Sequence, residues 1–533
     1  MNRRDFVRMT VPVSTVPFLL GGFPLRAYGH TPILDALIGA AKETDHVLVL
    51  IQLNGGNDGL NMVIPLDQYP SLMNARSNIA IDESKVLPLT TATGLHPAMT
   101  NLQQVFADNQ LAVVQSVGYP NPNFSHFRAT DIWLTASGSE TVLNTGWLGR
   151  FLDAEYPDYP NGYPSAVDPD PLAIQIGSVV SSGLQGPSVS MGMALTSPTS
   201  FYQLISGGID TAPDTPAGHE LTFLREVAQQ TQAYSSTIKN AASKASNLSS
   251  LYPAAGQNPL ADQLKIVAQL VAGGLKTRIY VVNLGGFDNH SAQVSATGGT
   301  DTGVHAKLLG QLSLAMAAFL DDLHLLGAEK RVVGMTFSEF GRRIKSNASL
   351  GTDHGTAAPL FVFGRRVYGR VVGANPVLPA NAGVNDNIAM QFDFRSVYAS
   401  LLKEWFGVSD HELNTVLLQG FQTLPLIQPN TPSKYPITNG QPSTNVPWTT
   451  TLSQNYPNPF NPTTHIQFTT TGDYVRVKVY DSVGREVRSL ADGVFPAGEH
   501  DVVFDGTGLP SGTYYCRMES GSFQEVRTMI LMK

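Results

Sequence analysis

The sequence predicts an α/β fold with a mainly parallel sheet flanked by helices, followed by a small C-terminal all-β sandwich. Over residues 45–425, short apolar segments alternate with longer helical ones, which is typical of a parallel sheet covered on both faces. Residues 426–450 are rich in Pro, Thr, Ser and Asn, as expected of a linker. After it, residues 451–533 carry alternating strand patterns separated by turns, which predicts the sandwich.

The predicted elements of the α/β region follow one another in a regular order. The strands are predicted at 47–53, 111–117, 172–176, 278–284, 331–337 and 360–363, and the helices at 97–107, 125–137, 219–247, 259–274, 302–326 and 394–406. Residues 138–218 interrupt this pattern and are rich in Gly, Pro, Ser and Tyr. We expect this segment to be a long, irregular insertion that walls a substrate cleft.

Composition and charge exclude several classes of protein. The chain has 533 residues, 42% of them hydrophobic, and a net charge of −8 without a long basic run. Nucleic acid is therefore not an expected partner, since such binding needs clustered Lys and Arg on one face. The single cysteine, Cys516, rules out an internal disulfide and lies in a strand pattern, so we expect it to fill a core.

The N-terminus resembles an export signal of the twin-arginine type over residues 1–29. Arg3 and Arg4 are followed by Phe6 and by an apolar stretch at 11–23. That stretch is too short for a comfortable transmembrane span, so we expect no such span. The alternative is a plain basic tail, but the signal predicts an exported protein.

Residues that bind metals follow three of the predicted strands. Because the carboxyl ends of parallel strands meet at one edge of a sheet, these side chains are expected to lie close together. Carboxylate and imidazole groups are ligands that divalent metals prefer. The predicted ligands of one such site are Asp58 after the first strand, Asp288 and His290 after the fourth, and Glu339, Asp353 and His354 after the fifth.

A candidate nucleophile, Ser125, follows the strand at 111–117 and opens a predicted helix. A helix N-terminus favours an oxyanion and binds phosphate or sulfate. His126 beside it is a candidate ligand or proton carrier. Ser125 is equally well explained as an ordinary helix N-cap, and Asp58 as a residue that caps amides in its turn. His305 is a reserve ligand, while Glu339 and Arg342 have the alternative of forming an ion pair.

The α/β region resembles the domain-of-unknown-function 1501 family, which looks like a branch of the alkaline phosphatase and sulfatase superfamily. The resemblance rests on residues 50–61 (LIQLNGGNDGLN), 124–127 (FSHF) with Trp133, 285–290 (GGFDNH), 338–342 (SEFGR) and 351–354 (GTDH). It implies an alkaline-phosphatase-like fold and hydrolysis of phosphate or sulfate esters with one or two divalent ions, zinc or calcium or magnesium.

The same resemblance implies separate roles for the predicted site residues. Asp58 would be a bridging carboxylate, Asp288 and His290 would ligate one metal, and Asp353 and His354 would complete a second. Glu339 would either ligate or orient a ligand histidine. The expected substrate is an ester-bearing small molecule or a polysaccharide.

The C-terminal region resembles a type IX secretion sorting domain. The matching segments are 452–462 (LSQNYPNPFNP), 479–485 (VYDSVGR) and 509–514 (LPSGTY). This resemblance implies that the outer-membrane translocon of that system reads the domain as an address. The protein is then expected to be secreted or attached to the outer-membrane surface.

Two further functions remain open from the sequence. One is a non-catalytic cell-surface protein that keeps the metal for structure. The other is a polysaccharide-binding protein whose binding face is formed by the Tyr and Trp residues of 138–218, with Trp133 and Trp147 as test positions.

Overall fold

The computed structural model describes residues 45–198, 215, 234–428 and 450–532, except for 453–454, 456–457, 459, 497 and 522. It also describes two short paired strands, Pro17–Leu20 and Phe23–Arg26. The rest of the predicted signal at 1–29, and 429–449 of the predicted linker, lie outside the described residues. The chain divides into two compact units, Met1–Pro429 and Asn430–Lys533.

The first unit contains fourteen described strands between residues 45 and 428. They are β1 (Val47–Asn54), β2 (Val63–Pro65), β3 (Leu87–Pro88), β4 (Thr93–Leu95), β5 (Leu111–Gly118), β6 (Ala173–Ile176), β7 (Met193–Leu195), β8 (Ile279–Gly285), β9 (Val332–Phe337), β10 (Arg342–Ser346), β11 (Thr352–His354), β12 (Ala358–Phe363), β13 (Arg370–Val372) and β14 (Phe392–Asp393).

Helices separate these strands. They are α1 (Gly59–Met62), α2 (Tyr69–Arg76), α3 (Thr100–Ala107), α4 (His126–Thr135), α5 (Trp147–Glu155), α6 (Pro259–Ala272), α7 (Val304–Leu325), α8 (Phe394–Ser400) and α9 (Asp410–Leu417). Residues 234–244 are also helical and belong to the helix predicted at 219–247. Residues 245–247 of that prediction are loop, and residues 219–233 lie outside the described part of the chain. Leu401–Phe406 continues α8 as a π-helix.

Nine of the strands form one sheet, which confirms the predicted mainly parallel architecture. Its order is β13-β5-β12-β9-β1-β8-β6-β7, and β14 also pairs with β5. β1 runs parallel to β8 and β9, while β12 runs antiparallel to both β9 and β5. Strands β1, β5, β8 and β9 therefore all point the same way, and their carboxyl ends share one edge.

A long helix covers one face of the sheet. From β1, Val49 and Ile51 pack into the same apolar core as Leu312 and Phe319 of α7, whose neighbours are α6 and α3. By length and composition, α7 is apolar enough to cross a membrane, yet most of it is buried inside this unit. Its hydrophobicity is accounted for by packing against the sheet.

The opposite face is covered by an aromatic cluster. Trp147 of α5 stacks on Tyr398 with 4.1 Å between ring centroids, and Trp133 of α4 stacks on Phe394 at 4.5 Å. Trp133 and Trp147 are only 3% and 1% exposed. Stacking in the core leaves these two rings no surface to offer, so neither Trp147 nor the test position Trp133 belongs to the polysaccharide-binding face expected from the Tyr and Trp residues of 138–218.

Residues 138–218 are more regular than the sequence predicts. Their described part holds α5 together with β6 and β7, which extend the sheet beyond β8. The Gly-rich and Pro-rich composition belongs to the connections between these elements. This segment therefore supplies two strands at one edge of the sheet and is not only an irregular insertion.

The second unit is a small all-β domain, as predicted. Its strands are β15 (Thr451–Leu452), β16 (Thr463–Thr470), β17 (Tyr474–Tyr480), β18 (Glu486–Val494), β19 (Gly498–Asp505), β20 (Gly512–Ser520) and β21 (Phe523–Leu531). They form two antiparallel sheets, β15-β16-β19 and β18-β17-β20-β21. Both sheets contribute to one apolar core, which includes Ile466, Phe504 and Cys516. Burial raises the pKa of the Cys516 thiol to about 12, which confirms its role as core filler.

Candidate metal centre

One buried arginine joins the loops that follow β1 and β8 to the β10–β11 hairpin. Arg342, 1% exposed, donates from Nε to the Gly56 carbonyl at 2.5 Å and from Nη1 to the Thr352 carbonyl at 2.8 Å. Its Nη2 donates to the Phe287 carbonyl and to Asp288 Oδ1, the latter at 2.7 Å. Three sequence-distant segments are thereby fixed relative to one another before any ligand is considered.

The glycines after β1 allow these loops to touch. Gly55 has φ = 122°, and a Cβ there would lie 2.3 Å from the backbone nitrogen of Asp288. Gly56 has φ = 72°, and a Cβ there would lie 2.3 Å from the ring of Phe340. No other residue fits this backbone conformation and this spacing together, which explains the Gly-Gly step in the motif at 50–61.

Three histidines and one carboxylate converge at the shared edge. His290 Nε2 lies 2.9 Å from His354 Nε2, and Asp288 Oδ1 lies 3.2 Å and 3.4 Å from these two atoms. On the other side, Asp288 Oδ2 lies 3.5 Å from His126 Nε2. His126, Asp288 and His354 can each offer one atom within 4.8 Å of the other two. We call these four residues, His126, Asp288, His290 and His354, the metal centre.

The proton of each histidine is positioned by an oxygen acceptor on the far side of its ring. The pairs are His126 Nδ1 with Glu339 Oε1 at 2.7 Å, His290 Nδ1 with Asp353 Oδ1 at 3.3 Å, and His354 Nδ1 with the Phe124 carbonyl at 2.8 Å. A neutral imidazole that donates from Nδ1 to such an oxygen presents a lone pair at Nε2. Carboxylates and carbonyls orient metal-binding histidines in this way.

The protonation of the centre suits a cation. Burial lowers the pKa of His354, and the charges of Arg342 and of the neighbouring histidines add to this effect, so its ring is neutral at pH 7. Burial acts to raise the pKa of Asp288, but the hydrogen bond and charge of Arg342 outweigh it and the pKa is lowered. His354 therefore offers a neutral imidazole and Asp288 an ionised carboxylate.

The residues present fit a divalent metal. Without a cation, lone pairs 2.9–3.5 Å apart would repel one another. Bonds of about 2.0–2.1 Å to a tetrahedral ion place neighbouring ligand atoms about 3.3 Å apart. The distances from Asp288 to the three histidines, and from His290 to His354, are close to this spacing. Three imidazoles with one carboxylate suit zinc or another transition metal better than calcium or magnesium, which prefer oxygen.

The structure brings six of the eight predicted site residues together: His126, Asp288, His290, Glu339, Asp353 and His354. In this arrangement Glu339 contacts His126, and Asp353 contacts His290. Glu339 is 2% exposed and also accepts from the Gly55 amide at 2.9 Å, rather than pairing with Arg342. Burial acts to raise the pKa of Asp353, but hydrogen bonds from His290 and Asn347, with the charges of His290 and Arg343, together outweigh it, so the pKa is lowered.

Asp58 makes its contacts elsewhere. Both of its oxygens accept from Arg76 Nη1, at 2.9 and 2.8 Å, and Oδ2 also accepts from Gln293 Nε2 at 2.7 Å. Asp58 is 3% exposed and Arg76 is fully buried. The reserve ligand His305 is also buried nearby, with Nε2 2.9 Å from Asn57 Oδ1. This polar network lies within the protein interior and supports the loop after β1.

Ser125 occupies the N-cap position of α4, directly before His126. It is exposed, and its side chain makes no cap hydrogen bond. Its backbone nitrogen instead donates to Asn123 Oδ1 at 2.9 Å. The interpretation of Ser125 as an ordinary capping hydroxyl therefore lacks the bond that would define it.

An open cleft of about 450 Å³ lies beside the metal centre. Its lining consists of residues from β1, α4 and the loops at the shared edge: Gln52, Asn54, Gly55, His126, Phe127, Thr130, Asp131, Ser182, Asp288 and Glu339. Two members of the centre, His126 and Asp288, form part of its wall. A substrate in this cleft would reach the ligands directly.

Two family models match the chain. The model described as "Protein of unknown function (DUF1501)" matches residues 45–417, and the model described as "Secretion system C-terminal sorting domain" matches residues 454–532. The sorting domain indicates export, to the cell surface or beyond. Among curated proteins, none matches the chain.

Several solved structures are loosely similar in fold. A sulfatase from Pseudoalteromonas sp. aligns at 10% identity over 88% of this chain and 85% of its own, with a TM-score of 0.32. A structure concerned with the metabolism of multiple glycosaminoglycans by Bacteroides thetaiotaomicron aligns at 13% over 85% and 90%, also at 0.32. A phosphonate monoester hydrolase from Silicibacter pomeroyi aligns at 10% over 87% and 90%, at 0.28. At these TM-scores the likenesses carry no conclusion about the chemistry of this chain.

Proposed function

Since the chain belongs to the DUF1501 family, whose description assigns no activity, we propose from its site that it is an exported, metal-dependent hydrolase of phosphate or sulfate esters. The observation that carries this proposal is the convergence of three histidine Nε2 atoms on Asp288, each with its Nδ1 anchored to an acceptor. Such a set is costly to assemble in a protein unless a cation joins it.

The ligands in this proposal are His126, Asp288, His290 and His354, and they hold one ion. A divalent metal bound there supplies positive charge to the ester oxygens and lowers the pKa of a coordinated hydroxyl. Glu339 and Asp353 orient His126 and His290. Asp58, which the sequence places among the ligands, supports the loop after β1 instead.

Ser125 is the proposed nucleophile. Its hydroxyl makes no cap bond, is accessible to solvent, and directly precedes the ligand His126 in the chain. The N-terminus of the ten-residue helix α4 adds partial positive charge beside an attacking oxygen. Attack by Ser125 would transfer the phosphoryl or sulfuryl group to the serine, release the alcohol, and leave water to regenerate the hydroxyl.

The cellular route of the protein fits an extracellular substrate. The sorting domain directs the chain to the type IX secretion translocon, and a twin-arginine-type signal at residues 1–29 is the proposed entry into the envelope. The product is then either released or kept on the outer-membrane surface. An ester-bearing small molecule or polysaccharide outside the cell is the substrate this location favours.

The first test is the metal content of the purified full-length protein, measured by elemental analysis. We expect one transition-metal ion, zinc foremost, per chain. The double variant His290→Ala/His354→Ala should lose it, while the matched control His411→Ala, an exposed histidine on α9, should retain it. No bound metal after incubation with zinc, manganese, calcium and magnesium would refute the hydrolase and leave a non-catalytic surface protein.

The second test addresses catalysis in the loaded protein. We expect turnover of a phosphate or sulfate ester, and a loss of roughly hundredfold or more in kcat for Ser125→Ala at unchanged metal content. Ser250→Ala, an exposed serine outside the site, serves as the control. Full activity in Ser125→Ala would exclude the serine as nucleophile and assign the attack to water.

A further inference from the structure

The cleft beside the metal centre presents two amide side chains. Gln52 and Asn54 lie two residues apart on β1, so they point to the same face of the sheet, and both are half-buried in the cleft wall. Within the parts of the chain that the structure describes, neither side-chain amide makes a hydrogen bond. Half-buried amides usually find partners, so this pair is poised for a polar ligand.

An aromatic ring stands next to these amides. Phe127, on α4 directly after the ligand His126, lines the same cleft and is 90% exposed. A single exposed apolar residue is ordinary on a protein surface. Here the ring shares its cleft with the hydroxyl residues Thr130 and Ser182, as well as with the two amides. An apolar plane beside several hydrogen-bonding groups matches a ligand with one apolar face and a polar edge.

The charge of the cleft limits what this ligand can be. Among the described lining residues there is no lysine or arginine, while Asp131, Asp288 and Glu339 are acidic. The two arginines bonded to lining carboxylates are already engaged. Arg342 binds Asp288 and backbone carbonyls, and Arg128 binds Asp131 and the carbonyls of residues 138, 139 and 141. A polyanion would therefore find no unengaged cationic side chain among the described lining residues.

We propose that this part of the cleft is a subsite for a neutral sugar, so that the substrate is a carbohydrate whose only anionic group near the site is the ester itself. The C–H face of a pyranose ring packs on Phe127, and its hydroxyls bond to Gln52 and Asn54. The ester then projects toward His126 and Asp288, which form the adjacent wall. The placement of the ester group rests on the proposed function, whereas the binding of the sugar does not depend on it.

The binding test uses neutral disaccharides with the full-length protein. Saturation-transfer NMR with lactose, cellobiose, maltose and xylobiose should reveal at least one that binds. Phe127→Ala and the double variant Gln52→Ala/Asn54→Ala should each weaken that binding by roughly tenfold. Val377→Ala, which shortens an exposed apolar side chain outside the cleft, should bind like the wild type. Absence of binding by all four sugars, or equal binding by Phe127→Ala, overturns the subsite.

A kinetic comparison separates this subsite from the proposed catalysis. For each acid whose esters are hydrolysed, kcat/KM is measured for a sugar ester and for the methyl ester of that acid. Glucose 6-phosphate and methyl phosphate are such a pair. We expect the preference for the sugar ester to fall roughly tenfold in Phe127→Ala, with the metal content unchanged. Sugar binding without turnover of any ester would refute the hydrolase alone. Turnover without a preference for sugar esters would refute the subsite alone.

Discussion

At the scale of single residues, the carboxylates of this region differ in their partners rather than in their chemistry. Asp288 faces three histidine nitrogens, Glu339 accepts the hydrogen of His126, and Asp58 pairs with Arg76. The first arrangement suits a metal ligand, the second a residue that orients a ligand, and the third a structural ion pair. Substitution of each carboxylate by its amide therefore has a different expected outcome.

Asp58→Asn separates a structural role from metal binding. Loss of its charge leaves Arg76 buried with an uncompensated charge, which costs roughly 3 kcal/mol or more in the free energy of unfolding. Urea denaturation measures that loss, while elemental analysis should still find one metal per chain. If the variant folds as stably as the wild type but loses its metal, Asp58 is a ligand as the sequence predicts.

Glu339→Gln tests the orientation of His126. The amide oxygen of glutamine can still accept from the histidine, but the negative charge that strengthens the ligand is gone. We expect the affinity for zinc, measured by competition with a chelator, to fall about 10- to 100-fold. Glu140→Gln, an exposed substitution outside the site, is the control and should leave the affinity unchanged.

Residue types and strand ends were enough to predict the members of this site, but not their individual roles. Asp58 and Asp288 both follow apolar strands in Gly-rich turns, so the sequence gives them the same expectation. The difference arises from Arg76 and Gln293, which reach Asp58 only after the chain has folded. The exposure of Phe127 and the burial of Trp133 are likewise decided by how α4 packs.

At the scale of elements, burial explains which strands the sequence predicts. The parallel strands β1, β5 and β9 are buried on both faces and read as continuous apolar runs, which are easily recognised. In the C-terminal domain, β18 and β21 are harder to recognise from the sequence. Most of their residues are exposed or half-buried, and polar side chains interrupt their alternation. Pairing with β17 and β20 supplies the stability that their own pattern does not show.

The loop after β1 is an element whose shape depends on one glycine. In Gly55→Ala, the new methyl group would collide with the backbone of Asp288, and its backbone conformation would be strained. We expect a loss of about 1–3 kcal/mol in the free energy of unfolding, together with weaker zinc binding. The matched control is Gly285→Ala at the end of β8, where a Cβ meets nothing within 4 Å. Equal behaviour of the two variants in chelator competition would show that the contact between the loops does not position Asp288.

At the scale of the whole molecule, two buried histidines couple stability to pH. Burial, followed by the charge of the neighbouring His305, lowers the pKa of His96 to about 3. Burial lowers the pKa of His305 to about 4, against the opposing charge of Asp58. Between pH 6.5 and about 4, the unfolded chain takes up protons that the folded chain does not bind. Stability is therefore lost as the pH falls through this range.

Urea denaturation of the metal-free protein between pH 7 and pH 4.5 measures this effect. Each histidine should contribute a slope of up to roughly 1.4 kcal/mol per pH unit. In His96→Asn the slope should become shallower, because asparagine does not titrate and can still accept from the Ala98 amide as His96 does. An identical slope in the variant would show that His96 is protonated in the folded state or plays no part.

The bonds of Arg342 bear on when in its life the protein acquires its cation. Because this side chain ties three segments together through the protein's own carbonyls and through Asp288, the loops that carry Asp288 and His354 are held in place by bonds of the protein itself. Uptake then needs no refolding, only access through the open cleft. If the proposed function holds, the ion can be taken up after export, and the supply of metal outside the cell would then decide how much of the protein is active.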